Sequence, residues 1–324
     1  MLAIIAAVVL VAGAVLIRSA ITDDGNDQSC ADGSAEDCRG GGSGRPRVAC
    51  TPDLDAVCNA LAADDAIEKV EPVDLADAAD RADELDGWIT YGVAPLLIGY
   101  DVSPNAPKAG AYDVTPTPIA SARLTAVVPP GSTGAIGDKC LAKPTWTCID
   151  AAVAGGNVPL SAGATGPISS AAITNLTPLA EAGRYGEADA VEAFDQVSGA
   201  YKDALGRGVA PSASVDTQLD QLVTQVGRAD VVVAPAARAT DAVRQASGRN
   251  LELRALTAEP ASRAVVVLAS TGTGNLSSDV EEALIVDGAP ARALAKLGYR
   301  IDTDAKVPGT AEAGFLYTVW KALD

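Results

Sequence analysis

The side chains with the most chemistry to offer are six cysteines, which fall into three C-x7-C pairs: Cys30 with Cys38, Cys50 with Cys58, and Cys140 with Cys148. Thiolates bind zinc, but this is not a zinc spacing, and the chain holds no histidine to complete a mixed ligand set. An even count beyond an apolar leading segment argues for disulfides. Six cysteines allow fifteen pairings, and the repeated spacing favours closure within each pair, worth roughly 2–3 kcal/mol per loop in chain entropy. Cys50–Cys58 is the least comfortable, because Cys58 is expected about two turns down the helix that Cys50 precedes.

The absence of histidine also excludes Ser-His-Asp and Cys-His nucleophiles. Asp64-Asp65 and Glu281-Glu282 read as ordinary solvated carboxylates, with no sign of acid/base coupling. Nothing specifies a cofactor or a metal, so an enzyme is the weakest reading. A formal net charge of −18, with no basic stripe interleaved with aromatics, repels phosphate backbones and argues against a nucleic-acid partner. Binding of something small remains.

Three junctions could serve it. Thr51 is a good N-cap and Pro52 a good first helical residue after the strand-like Arg47–Cys50. Tyr91 closes the strand-like GWITY, and Ser169 ends a Gly-rich turn that opens a helix. Helix amides with hydroxyls suit an anionic or strongly polar solute, and the same residues also serve as plain caps. Arg238 sits just beyond a strand end and Arg123 within the strand-like IASARLTAVVPP, and either guanidinium can meet an anion or stand as a plain surface charge. Asn175-Leu176-Thr177 and Asn275-Leu276-Ser277 are formal glycosylation sequons.

Several elements must position these residues. MLAIIAAVVLVAGAVLI, followed by Arg18 where a cleavage site wants a small residue, reads as an uncleaved transmembrane signal anchor over residues 1–20. Residues 21–46 are an acidic and Gly-rich spacer. The remainder alternates. RVAC, GWITY, IASARLTAVVPP, ADVVVAP, LELRALT and RAVVVLAS read as strands. DLDAVCNAL, VDLADAADRADEL, a run from near Ser169 that Pro178 should kink, SVDTQLDQLVTQVG, ARATDAVRQA, SSDVEEALIVDG and PARALAKLGYR read as helices. GDKCLAKPTWTCID reads as a disulfide loop. The alternation predicts α/β layers around mostly parallel sheets.

In order and character, residues 47 to 300 resemble the type II periplasmic (extracytoplasmic) solute-binding proteins, and most of all their actinobacterial, molybdate-binding-like versions. RVACTPDLDAVCNAL is similar to the opening strand and helix of that family, IASARLTAVVPP to the strand that crosses between lobes, VPLSAGATGPISSAA to the turn into the second lobe's ligand-facing helix, and ARALAKLGYR to a closing helix. The resemblance implies a two-lobed α/β fold behind the transmembrane helix. Lobe 1 would comprise residues 47–120 and 258–324, and lobe 2 residues 121–257. The lobes would close over a small polar or anionic solute, with Thr51, Tyr91, Ser121, Ser169 and Arg238 facing the cleft. It further implies a binding protein and not an enzyme, held on the extracytoplasmic side of the cell membrane by residues 1–20 and serving a membrane transporter. A second reading keeps the same fold as a cell-surface interaction or sensing module without a small ligand.

Overall fold

In the computed structural model, the described residues are 44–102, 111–113, 115–162, 168–182, 198–205, 214–225, 230–271, 276, 278–307 and 310–323. The chain divides after Gly44, and the unit from Arg45 onward carries every strand and helix of the described residues. Its strands are β1 (Arg47–Cys50), β2 (Glu68–Lys69), β3 (Gly87–Tyr91), β4 (Thr117–Val128), β5 (Leu160–Ser161), β6 (Val231–Pro235), β7 (Arg254–Leu256), β8 (Arg263–Ser270) and β9 (Arg300–Ile301). The helices are α1 (Asp55–Ala63), α2 (Ala94–Val102), α3 (Pro130–Ile136), α4 (Asp138–Ala142), α5 (Trp146–Ala154), α6 (Ser170–Ala182), α7 (Val215–Thr224), α8 (Ala236–Ser247), α9 (Ser278–Ile285), α10 (Ala289–Lys296) and α11 (Thr310–Leu323).

β4 joins two sheets. Its first half pairs antiparallel with β8, from Thr117 opposite Leu268 to Arg123 opposite Arg263, and with β9 at Ala120 and Ser121. Its second half pairs antiparallel with β6 and β7. The order runs β2-β1-β3-β8-β4-β6-β5. Apolar residues on both faces explain why these strands lie central. On β6, Val231 and Val233 enter the main core while Val232 and Ala234 enter a smaller cluster with Leu219 and Leu222 of α7 and Ala239 of α8. Continuous apolar runs of this kind mark strands covered on both sides.

The sheets are mixed, not mostly parallel as the alternation predicts. β1 is parallel to β2 and β3, and β5 to β6. The long β4 and β8 run antiparallel to the strands they pair with.

Local differences have local causes. The stretch expected as a helix over 73–85 is a series of turns ending in a 3-10 turn at Ala82–Glu84. Asp74, Asp77, Asp80 and Asp83 recur every third residue. Asp competes for local backbone donors and is unfavourable inside a helix, so the acidic repeat favours turns. Apolar Leu75, Ala78, Ala82 and Leu85 are still buried. The expected disulfide loop is helical: α4 and α5 flank Pro144, and Thr145 caps α5 by accepting from the Cys148 amide at 3.2 Å. α6 continues through Pro178 to Ala182.

Cys50–Cys58 and Cys140–Cys148 are both bridged. The first closes easily because Pro52–Leu54 form a tight 3-10 turn and α1 starts only at Asp55, which brings the Cα atoms to 5.9 Å. Among the described residues no helix is long and apolar enough to cross a membrane. The expected anchor, most of the spacer, and Cys30 with Cys38 lie outside the described residues. Replacing both Cys50 and Cys58 by Ala is expected to lower stability by about 2.5 kcal/mol through loss of the short covalent loop, read as a drop in the urea midpoint at unchanged slope.

Candidate ligand-binding cleft

Thr51 ends β1 with extended backbone, and its amide donates to the Ile89 carbonyl at 2.9 Å, so the start of the 3-10 turn is fixed against β3. Its buried hydroxyl donates to Asp74 Oδ1 at 3.2 Å. The same carboxylate oxygen accepts from the Leu75 amide at 2.8 Å, the Ser170 amide at 2.9 Å, and the Ser170 hydroxyl. Ser169, also buried, caps α6 by accepting from the Ala172 amide at 3.0 Å. The α6 N-terminus, where an anion is expected to dock, is therefore filled by the chain's own Asp74 and Ser169. Thr51 and Ser169 point into this internal network.

Beside it is an open cavity of about 240 Å³. The turn after β1 contributes Asp53 and Ala56, β3 contributes Tyr91, and the connection from α10 to β9 contributes Leu297 and Tyr299. From the other side of the β4 crossing come Asn175 of α6, Ser214 and Asp216 at the start of α7, and Arg238 of α8. Of the residues expected from the sequence, Tyr91 and Arg238 line this cavity. Ser121 lies elsewhere, in a second cavity with Arg123. Asn175 donates its side-chain amide to the Ala162 carbonyl at 2.9 Å and is buried, which removes it as a glycosylation acceptor. Asn275 lies outside the described residues.

The cavity is polar but leans acidic. Arg238 Nε donates to Asp216 Oδ1 at 2.7 Å, so its charge is met internally. Burial, then the charges of Asp74 and Asp216, push the Asp53 carboxyl up to about 7. Tyr91 and Tyr299 are hydrogen-bonded to one another with ring centroids 6.3 Å apart, and burial pushes both phenols up. They stand as neutral hydroxyls. The site can thus offer phenolic and hydroxyl groups, one carboxyl poised to ionise, and a guanidinium already engaged. Among the described residues, no group of three or more Cys, Asp or Glu is placed to hold a metal.

Sequence reasoning missed Asp53, Asp216 and Tyr299. Each has a bland local explanation: Asp53 and Asp216 are acids in first helical turns, and Tyr299 follows a helix-ending glycine. Gly298 is more telling. Its φ is +89°, and a Cβ there would stand 2.9 Å from Pro235 Cβ and 3.0 Å from Arg238 Cγ. The Tyr299 connection and the α8 start are thus in direct contact.

No protein-family model matches the chain, and no curated relative does. Among solved structures, iron-bound HitA from Pseudomonas aeruginosa aligns over 86% of this chain and 97% of that chain, at 10% identity and a TM-score of 0.52. The chain has the two-lobed periplasmic-binding-protein fold. The sulfate-binding protein SubI from Mycobacterium tuberculosis H37Rv aligns over 80% of this chain and 87% of its own, at 15% identity and a TM-score of 0.46. A putative spermidine/putrescine ABC transporter from Listeria monocytogenes aligns over 80% and 83%, at 10% identity and a TM-score of 0.47. In this two-lobed fold the cavity lies between residues from the two sides of β4.

The geometry sets a pH dependence. Between the ordinary Asp value of 3.8 and about 7, the folded chain keeps a proton on Asp53 that the unfolded chain has released. Stability therefore falls as pH rises through that window, with a slope of at most about 1.4 kcal/mol per pH unit from this group. Asp53→Asn is expected to flatten the slope and gain most on wild type at neutral pH, as read from urea midpoints across the window. Gly298→Ala should lower stability by more than about 1 kcal/mol, because left-handed strain adds to the clash with α8; thermal unfolding checks it.

Proposed function

We propose that the protein is an extracytoplasmic solute-binding protein that closes two lobes, residues 47–120 with 258–324 and residues 121–257, over one small polar solute. Residues 1–20 would hold it to the membrane, where it would present solute to a transporter. The observation that carries this reading is the cavity itself. Its volume suits a molecule of a few heavy atoms to the size of an amino acid, and its polar groups arrive from both sides of the β4 crossing. Closure of two lobes is the usual way such a fold sequesters a ligand.

The charges favour a solute with hydrogen-bond donors, an amine or a zwitterion, over a plain anion. Asp53 and Asp216 both face the cavity, while Arg238, its one cation among the described residues, is paired with Asp216. The α6 amides that would attract an anion are spent on Asp74. A donor group on the solute would meet Asp53, and the neutral Tyr91–Tyr299 pair would flank an aliphatic or cationic body.

Thermal unfolding of the purified protein against a panel of amines, amino acids and polyols tests the reading. The cognate class should stabilise the fold with the logarithm of its concentration, by about 2.7 kcal/mol at a hundredfold excess over Kd. Tyr91→Phe and Asp53→Asn should each weaken that binding about tenfold. A panel that gives no concentration-dependent shift in wild type would sink it.

A further inference from the structure

We propose that the outer edge of the crossover carries a second site, for a tetrahedral oxyanion of the phosphate or sulfate class. It is a separate cavity of about 480 Å³. Ser121 and Arg123 of β4, Arg263 of β8 and Arg300 of β9 line one wall, and Ala236, Ala237 and Thr240 of α8 line the other.

The register concentrates positive charge there. Arg123 stands directly opposite Arg263, and Ser121 directly opposite Arg300. Residues 121 and 123 share a face, since strand side chains alternate, so all three guanidiniums belong to the same face of three adjacent strands. Like charges directly opposite one another are destabilising. A chain with a net charge of −18 has many acidic residues that could have been placed against them. Among the described residues, two carboxylates are: Glu259 pairs with Arg123 at 2.7 Å, and Asp302 accepts from Ser121 and lies 3.7 Å from Arg263. Arg263 Nη1 donates to the Ser121 hydroxyl at 3.0 Å. Arg300 has no ion-pair partner among the described residues, and Arg123 Nε is buried without a hydrogen-bond partner.

The opposite wall adds to the field. α8 has Pro235 at its N-cap, which provides no side-chain acceptor, and its first residues Ala236 and Ala237 face the cavity. Uncapped helix amides carry partial positive charge. Guanidiniums and a helix N-terminus around one polar space fit an oxyanion with several acceptor oxygens. Bound there, it would offset the cross-strand repulsion and bridge β4, β8 and β9 to α8.

The test is titration of the purified protein with inorganic phosphate, and separately sulfate, against chloride at matched ionic strength, read by calorimetry and thermal unfolding. Phosphate or sulfate should bind saturably where chloride does not. Arg300→Ala, at an exposed and unpaired position, should keep its midpoint in phosphate-free buffer yet weaken binding about tenfold or more. Arg263→Gln, which also loses its bond to Ser121, should weaken phosphate binding likewise, each shift being read against that variant's own phosphate-free midpoint. Arg238→Ala, in the first cavity, should leave phosphate affinity unchanged. A chloride response equal to phosphate, or phosphate binding that survives Arg300→Ala and Arg263→Gln, overturns the proposal. Loss of phosphate binding in Arg238→Ala alone does so too, by assigning the anion to the first cavity.

Discussion

One carboxylate oxygen sets the geometry around the cleft. Asp74 Oδ1 gathers the Thr51 hydroxyl, its neighbour's amide, and both the amide and hydroxyl of Ser170. The donors are buried or half-buried, so each would be costly to leave unmade, by about 1–3 kcal/mol on removal of the acceptor. The bond to the first amide of α6 also places a negative charge at a helix N-terminus, where it is stabilised. The interaction joins the turn after β1 to the helix after β5.

That use of Asp74 decides what the cleft can accept. A helix N-terminus is open to a ligand anion only while its amides are unspent. Here the two junctions with the most suitable sequences, at Thr51 and Ser169, are satisfied within the chain. The space left over lies one step away and is lined by groups of different character. Asp74 still acts there at a distance, since its charge helps to hold the Asp53 proton. A single internal bridge therefore closes to a ligand the helix start that reads as anion-seeking.

Much of the fold was legible because long apolar runs admit few interpretations. IASARLTAVVPP, ADVVVAP and RAVVVLAS are strands buried on both faces, and Gly298 ends α10 with positive φ. The direction of pairing was not legible, since a run buried on both faces carries the same pattern in parallel and antiparallel sheets. The 73–85 segment misled because its apolar residues recur at helical spacing while its aspartates favour turns; burial of Leu75 and Leu85 satisfies the pattern without a helix. Of the cleft, Tyr91 and Arg238 were legible from strand ends. Asp53, Asp216 and Tyr299 were not, because what distinguishes them is proximity across β4, and single-sequence spacing carries no such distance.

The two cavities share a wall and differ in their charged groups. Pro235 and Arg238 of the β6–α8 junction face the first, while Ala236, Ala237 and Thr240 face the second. On the other side, Leu297 and Tyr299 border the first and Gly298 and Arg300 the second. A Cβ at position 298 would collide with Pro235 and Arg238, so the two chain segments are closely packed there. The first cavity holds Asp53 and Asp216 against one arginine, and the second holds three arginines against Asp302, with Glu259 alongside. The two sets of charged groups therefore sit on either side of one helix start, with the 297–300 segment packed against it.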